Sequence, residues 1–153
     1  MRTQESGEDY LETILLLYRK QGYVRSTDIA NAMNYTKASI SRAVKILKDA
    51  DYIYLDPNKM IFLTEKGEKK ALEIYERHEV ISGFLTDVLK VDAETADHDA
   101  CRIEHVISDQ SFEAIKRHVG QLHDGTTNGE EPADSQTERN EQHEANNHEE
   151  AHI

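Results

Sequence analysis

The chain has 153 residues, 37% apolar and 31% charged, with a single cysteine and a net charge of −12. That length holds one ordinary domain or two very small ones. One cysteine excludes an internal disulfide, and no run approaches the roughly 18 apolar residues of a membrane helix.

The acidity is unevenly spread. Residues 1–70 carry 12 basic against 10 acidic side chains, 71–122 carry 5 against 11, and 123–153 carry 1 against 9. Only the first stretch suits a polyanionic partner. No signal-peptide core follows Met1, so a reducing cytoplasm is the expected location.

Tyr10, Leu11, Ile14, Leu15, Leu17 and Tyr18 recur at helical spacing and predict a first helix over 8–21, stopped by Gly22. Ser26, Thr27 and Asp28 offer cap chemistry for a short helix over 28–33. After a turn at Asn34 and Tyr35, Thr36 caps a longer helix to residue 49, whose buried stripe is Ile40, Val44 and Leu47. Two strands over 52–55 and 60–63 flank the turn residues Asp56, Pro57, Asn58 and Lys59. Helix, helix–turn–helix and β-hairpin in that order are a winged helix.

Thr64 is placed to cap a connector helix running to about residue 89, with Gly67 tolerated in its first turn. Its apolar residues lie on more than one face, which suits packing against a partner subunit. Two further helices are expected over 93–107 and 109–122, with Ser108 and Asp109 as the cap between them. Residues 123–153 are almost devoid of apolar side chains and are expected to be a disordered acidic tail containing histidines.

The predicted architecture is thus mainly α. A winged helix-turn-helix suited to DNA binding occupies 1–65, an all-helical dimerisation domain 66–122, and a disordered tail 123–153.

Cys101, Glu104 and His105 fall at i, i+3 and i+4, so a helix presents all three on one face. Thiolate, carboxylate and imidazole together form half a coordination sphere for Fe(II), Mn(II) or Zn(II). His98 lies on the same stripe. Asp9 and Glu12, three apart in the first helix, project to one side, although acidic residues in a first turn also complement the helix dipole. His78 lies midway along the connector, where a solvated or hydrogen-bonded histidine is equally ordinary.

The run Asp99-Ala100-Cys101-Arg102-Ile103-Glu104-His105-Val106-Ile107-Ser108-Asp109 resembles the signature of the diphtheria-toxin-repressor/manganese-transport-regulator family. Glu8-Asp9-Tyr10-Leu11-Glu12-Thr13-Ile14 resembles its first-helix motif, and Arg77-His78 its connector histidine. The likeness runs in order over about 7–120. It implies a dimeric, metal-activated winged-helix repressor of metal-uptake genes and not an enzyme.

Carried over by residue, the resemblance implies a main metal site of Asp9, Cys101, Glu104 and His105, with Glu12 and His78 contributing to a neighbouring second site. The shell is a hybrid. Iron-type members carry methionine where Asp9 stands, and manganese-type members carry glutamate where Cys101 stands. In the iron branch's ancillary site His78 is kept, but Ser82 and Asp97 replace its glutamate and second histidine. The C-terminal SH3-like domain of longer relatives has no counterpart in residues 123–153.

The expected cofactor is therefore a divalent transition metal, Mn(II) or Fe(II), and the expected partners are double-stranded operator DNA and a second copy of the chain, with no membrane. Within the winged helix, Thr36, Lys37, Ser39, Ser41 and Arg42 open the recognition helix, and Lys59 sits at the hairpin tip. Hydroxyls and amines there reach phosphates, and Arg42 can read guanine in the major groove. The alternative is a winged-helix regulator that is metal-independent or answers to an organic effector.

Overall fold

The computed structural model describes residues 2–125, with side chains described from 7 to 122. The expected tail lies, beyond residue 125, outside the described residues.

The first helix, α1, spans Arg2–Gln21 and begins earlier than the apolar spacing alone predicts. Gly22, at φ +80°, ends it, donating its N–H to the Tyr18 carbonyl at 2.8 Å. That backbone conformation suits glycine. Helix α2 spans Ser26–Met33. It starts two residues before the expected position because Asp28 reaches back to accept the Arg25 N–H at 2.8 Å, closing the first turn. Asn34 in the left-handed region (φ 55°) stops it. Helix α3 spans Lys37–Asp49, capped as expected by Thr36, whose hydroxyl accepts from the Ser39 N–H at 3.2 Å.

Strands β1 (Ile53–Leu55) and β2 (Ile61–Leu63) pair antiparallel in the register Ile53–Leu63, Tyr54–Phe62 and Leu55–Ile61. The Asp56 carboxylate accepts the N–H groups of Asn58 and Met60 and folds the loop. Lys59 takes φ +61° at its tip. The Ile61 N–H bonds the Val24 carbonyl at 2.8 Å and ties the wing to the segment after α1.

Helix α4 spans Glu65–Gly83, with Thr64 as its cap. Its start is set by close contact: a Cβ on Gly67 would stand 1.9 Å from the Tyr52 carbonyl oxygen. Glycine is thus required here rather than tolerated. The helical run reaches Val88, near the predicted end at about 89, but its last turn is not α. At Phe84–Val88 the chain widens into one π turn, where the Leu89 N–H bonds five residues back to Phe84, and Lys90 at φ +59° ends it.

Helix α5 spans Ala93–Ile103, capped by Asp92, and α6 spans Asp109–Gly125. Residues 104–106 form a turn, so the fifth helix stops four residues short of the expected 107. The Arg77 guanidinium of α4 holds the turn that follows: it donates to the carbonyls of Ile107 (3.2 Å) and Glu104 (3.5 Å) and pairs with Asp109.

Two apolar clusters result. One joins Leu11, Ile14, Val24, Ile29, Ile40, Leu47, Ile53 and Ile61 with Ala71 of α4. The other joins Ile81, Ala100 and Phe112. Helix α4 enters both, and His78 lies on it between buried Ile74 and Ile81.

Candidate metal centre

Four elements converge between the two apolar clusters. Helix α1 brings Glu8, Asp9 and Glu12; α4 brings His78; α5 brings Asp97 and Cys101; the α5–α6 turn brings Glu104 and His105. Three overlapping groups have ligand atoms within 4.8 Å of one another: Asp9, Glu104 and His105; Glu12, His78 and Glu104; and His78, Asp97 and Cys101. All six residues proposed from sequence as ligands thus meet in one place. Their partition differs from the expectation, because Cys101 groups with His78 and Asp97 rather than with Asp9. Its sulfur lies 3.6 Å from His78 Nδ1.

Glu104 is the hub. It is 2% exposed, with Oε2 at 2.9 Å from His78 Nδ1 and Oε1 at 3.2 Å from His105 Nε2. His105 Nε2 also lies 2.6 Å from Asp9 Oδ1, and its Nδ1 lies 2.8 Å from Glu8 Oε2. Glu8 is held in turn by Lys70 at 3.2 Å. His78 Nε2 lies 2.7 Å from Asp97 Oδ1.

Packing so many carboxylates together displaces the protonation equilibria. Burial beside Glu104 pushes the Glu12 carboxyl up to about 7. The bond to Glu104 raises His78 to about 9 against the opposing effect of burial, helped by Asp97. Burial would lower His105, but Asp9 and Glu8 outweigh it and raise the ring to about 10. Cys101 is exposed as a residue, yet its sulfur turns inward. Burial there and the negative field of Glu104 push its thiol up to about 12. Burial would also raise Glu8, but the bonds from His105 and Lys70 hold it below the ordinary carboxylate value.

Glu104 Oε1 and His105 Nε2 are buried, make no aligned hydrogen bond, and meet each other and the Asp9 carboxylate. Asp9, Glu104 and His105 thus bring ligand atoms to within 4.8 Å of one another, and the residues present fit a divalent ion. Oxygen, nitrogen and one sulfur donor suit first-row transition ions; carboxylates favour Mn(II) and the thiolate favours softer ions.

His98 does not join the cluster: its side chain is 73% exposed and lies near only Asp99, at 3.7 Å, among the groups it pairs with. Glu8 escaped the sequence reading, since an acidic residue in an early helical turn has an ordinary explanation in the dipole. Its neighbour Asp9 was the available signal.

In the winged helix, Thr36, Lys37, Ser39, Ser41 and Arg42 are all exposed along the start of α3, and Lys59 is exposed at the wing tip. Thr36 and Ser39 also bond to each other at the cap. A cleft between the start of α2 and the wing is lined by Arg25, Ser26 and Lys59. Arg25, which the sequence reading passed over, is a second cation beside Lys59 in that cleft.

Residues 2–61 match the family model described as the iron-dependent repressor N-terminal DNA-binding domain, and residues 64–133 match its metal-binding and dimerisation domain. An uncharacterized HTH-type transcriptional regulator of Methanocaldococcus jannaschii is 34% identical over 113 residues, covering 73% of this chain and 90% of that protein. The HTH-type transcriptional regulator MntR of Bacillus subtilis (strain 168) is also 34% identical over 113 residues, covering 74% and 79%. Among solved structures, the manganese regulator SloR superposes with a TM-score of 0.67 at 29% identity, over 74% of this chain and 53% of SloR. The chain therefore spans about half the length of that solved structure.

Proposed function

The chain belongs to the iron-dependent repressor family, which includes the MntR regulators, and from that premise we propose that it is a metal-activated transcriptional repressor controlling Mn or Fe homeostasis genes. Asp9, Glu12, His78, Cys101, Glu104 and His105 would hold the ion. The observation that carries this reading is the convergence of Asp9 from α1 with Glu104 and His105 from the α5–α6 turn, their ligand atoms within 4.8 Å of one another and Glu104 Oε1 and His105 Nε2 buried.

A bound divalent cation would supply the positive charge that offsets the clustered carboxylates. Asp9 and Glu12 project from α1, whose apolar face builds the winged-helix core, whereas Glu104 and His105 project from the turn of the helical half. Ligands drawn from both halves fix α1, and with it α3, relative to the dimerisation half. In a homodimer this sets the spacing of two recognition helices near one DNA turn or a multiple of it. Fixing one arrangement removes the cost of selecting it, so operator affinity rises by the inverse of its former population.

Lys37, Ser39, Ser41, Arg42 and Lys59 would meet the DNA, with Thr36 positioning the helix start. The proposed location is the cytoplasm, where operator DNA is met; no helix among the described residues is long and apolar enough to cross a membrane.

The test is fluorescence anisotropy on duplex DNA selected from a random library by the Mn(II)-loaded protein. Binding should require Mn(II) or Fe(II) and vanish with chelator, and Asp9→Ala should lose the metal response while keeping its fold by circular dichroism. Binding unchanged by chelator would favour a metal-independent or organically regulated winged helix instead.

A further inference from the structure

On the reading that this cluster holds a divalent ion, we propose that Glu8 and Asp97 are positioning residues of the centre, each fixing which ring nitrogen of a ligand histidine faces the ion. The two histidines are arranged as mirror cases around one carboxylate. His105 presents Nε2 to Glu104 Oε1, while its outer Nδ1 meets Glu8 at 2.8 Å. His78 presents Nδ1 to Glu104 Oε2, while its outer Nε2 meets Asp97 at 2.7 Å.

A neutral imidazole has one donor and one acceptor nitrogen, and an ionised carboxylate can only accept a hydrogen bond. With an ion on the Glu104 side, the inner nitrogen would give it its lone pair, so the ring's one proton would sit on the outer nitrogen, where Glu8 or Asp97 accepts it. This is the arrangement by which carboxylates orient metal-binding histidines and raise their basicity.

Position separates Glu8 from the ligands; Asp97, which also falls in the group with His78 and Cys101, meets His78 at the ring nitrogen turned away from Glu104. Glu8 and Asp9 are consecutive, yet they meet opposite edges of the His105 ring, Glu8 at Nδ1 and Asp9 at Nε2. Glu8 lies outside the group formed by Asp9, Glu104 and His105 and is pinned by Lys70 from α4. Asp97 stands one helical turn before Cys101 with its side chain 66% exposed, on the solvent side of His78. The Glu8 side chain is only 15% exposed. Water can replace Asp97 more readily than Glu8, so the loss on removing Glu8 is the larger.

The experiment uses the full chain with 15N-labelled histidine and 113Cd(II) as the spectroscopic probe, together with Mn(II) affinities. In the wild type, cadmium–nitrogen coupling should appear at His105 Nε2 and His78 Nδ1. Glu8→Ala and Asp97→Ala should weaken Mn(II) binding by about 10–100-fold. Glu8→Gln and Asp97→Asn, which retain an acceptor oxygen, should recover part of the loss.

Asp97 is largely exposed, so its variants remain informative if Glu8→Ala folds poorly. Coupling through His78 Nε2 or His105 Nδ1, or wild-type Mn(II) affinity in both alanine variants, would overturn the proposal and leave the metal centre standing. A wild-type chain that binds neither Cd(II) nor Mn(II) at these histidines would instead overturn the metal-centre reading itself.

Discussion

The Glu104 carboxylate is buried, with Oε2 bonded to His78 and Oε1 3.2 Å from His105 Nε2, and a buried charge needs such partners. Its value to the fold comes from the charges around it, and Glu104→Gln removes that charge without changing shape. The variant should lose more than about 100-fold in Mn(II) affinity, beyond the range for an orienting partner, and keep the metal-free fold. Isothermal titration calorimetry and a thermal melt check both parts, and near-normal affinity would remove Glu104 from the ligand set.

The histidines carry a pH signature. Their folded-state values, about 9 for His78 and about 10 for His105, stand above the ordinary 6.5. The metal-free fold therefore binds protons that the unfolded chain has released. Their contribution to stability is complete below about 6.5 and is lost as pH rises through about 9 and 10. Glu12, raised from 4.5 to about 7, acts in the same sense at lower pH.

An ion must displace these protons, so metal affinity should climb between pH 6 and 8 with net proton release. Titrations in buffers of different ionisation enthalpy measure this directly, and a flat affinity would contradict it. The spacing of Cys101, Glu104 and His105 made the centre legible in the sequence. Glu8 and the turn of Cys101 toward His78 were not legible, because both depend on which helix packs opposite.

At the scale of elements, caps and turns were the readable part. Thr36, Thr64 and the Ser108 hydroxyl each accept the backbone N–H three residues on, as their positions predict. Helix ends set by tertiary contact were not readable. Local periodicity cannot show Arg77 of α4 taking the carbonyls that follow α5. Nor does it mark the π turn after Gly83, where Thr86 bonds the Ser82 and Gly83 carbonyls at 3.1 and 3.2 Å.

Gly67 is the sharpest instance. A residue that helix propensity merely tolerates is demanded by the Tyr52 carbonyl. Gly67→Ala should destabilise the chain by about 1–3 kcal/mol or more through overpacking, because backbone rather than a flexible side chain must give way. Urea denaturation checks this, and an unchanged midpoint would mean the start of α4 can shift away from the wing at no cost.

Across the whole molecule, the charge pattern and the order of elements carried the architecture. A weakly basic winged helix precedes an acidic helical half, and α4 shares its buried face between their two apolar clusters. Acidic ligands of the two halves repel one another unless positive charge stands between them. The structure refines that picture. Glu8 and Asp9 of α1 already grip the His105 ring from both sides, and Lys70 holds Glu8. Protonated imidazole stands where positive charge is needed, so activation exchanges protons for a metal in a contact whose parts already meet.

The most direct test of that bridge is anomalous diffraction from crystals grown with Mn(II), collected on either side of the manganese edge. The account predicts an anomalous peak among Asp9, Glu104 and His105, joining α1 to the α5–α6 turn. Manganese bound only elsewhere, or those side chains standing too far apart to share an ion, would contradict it.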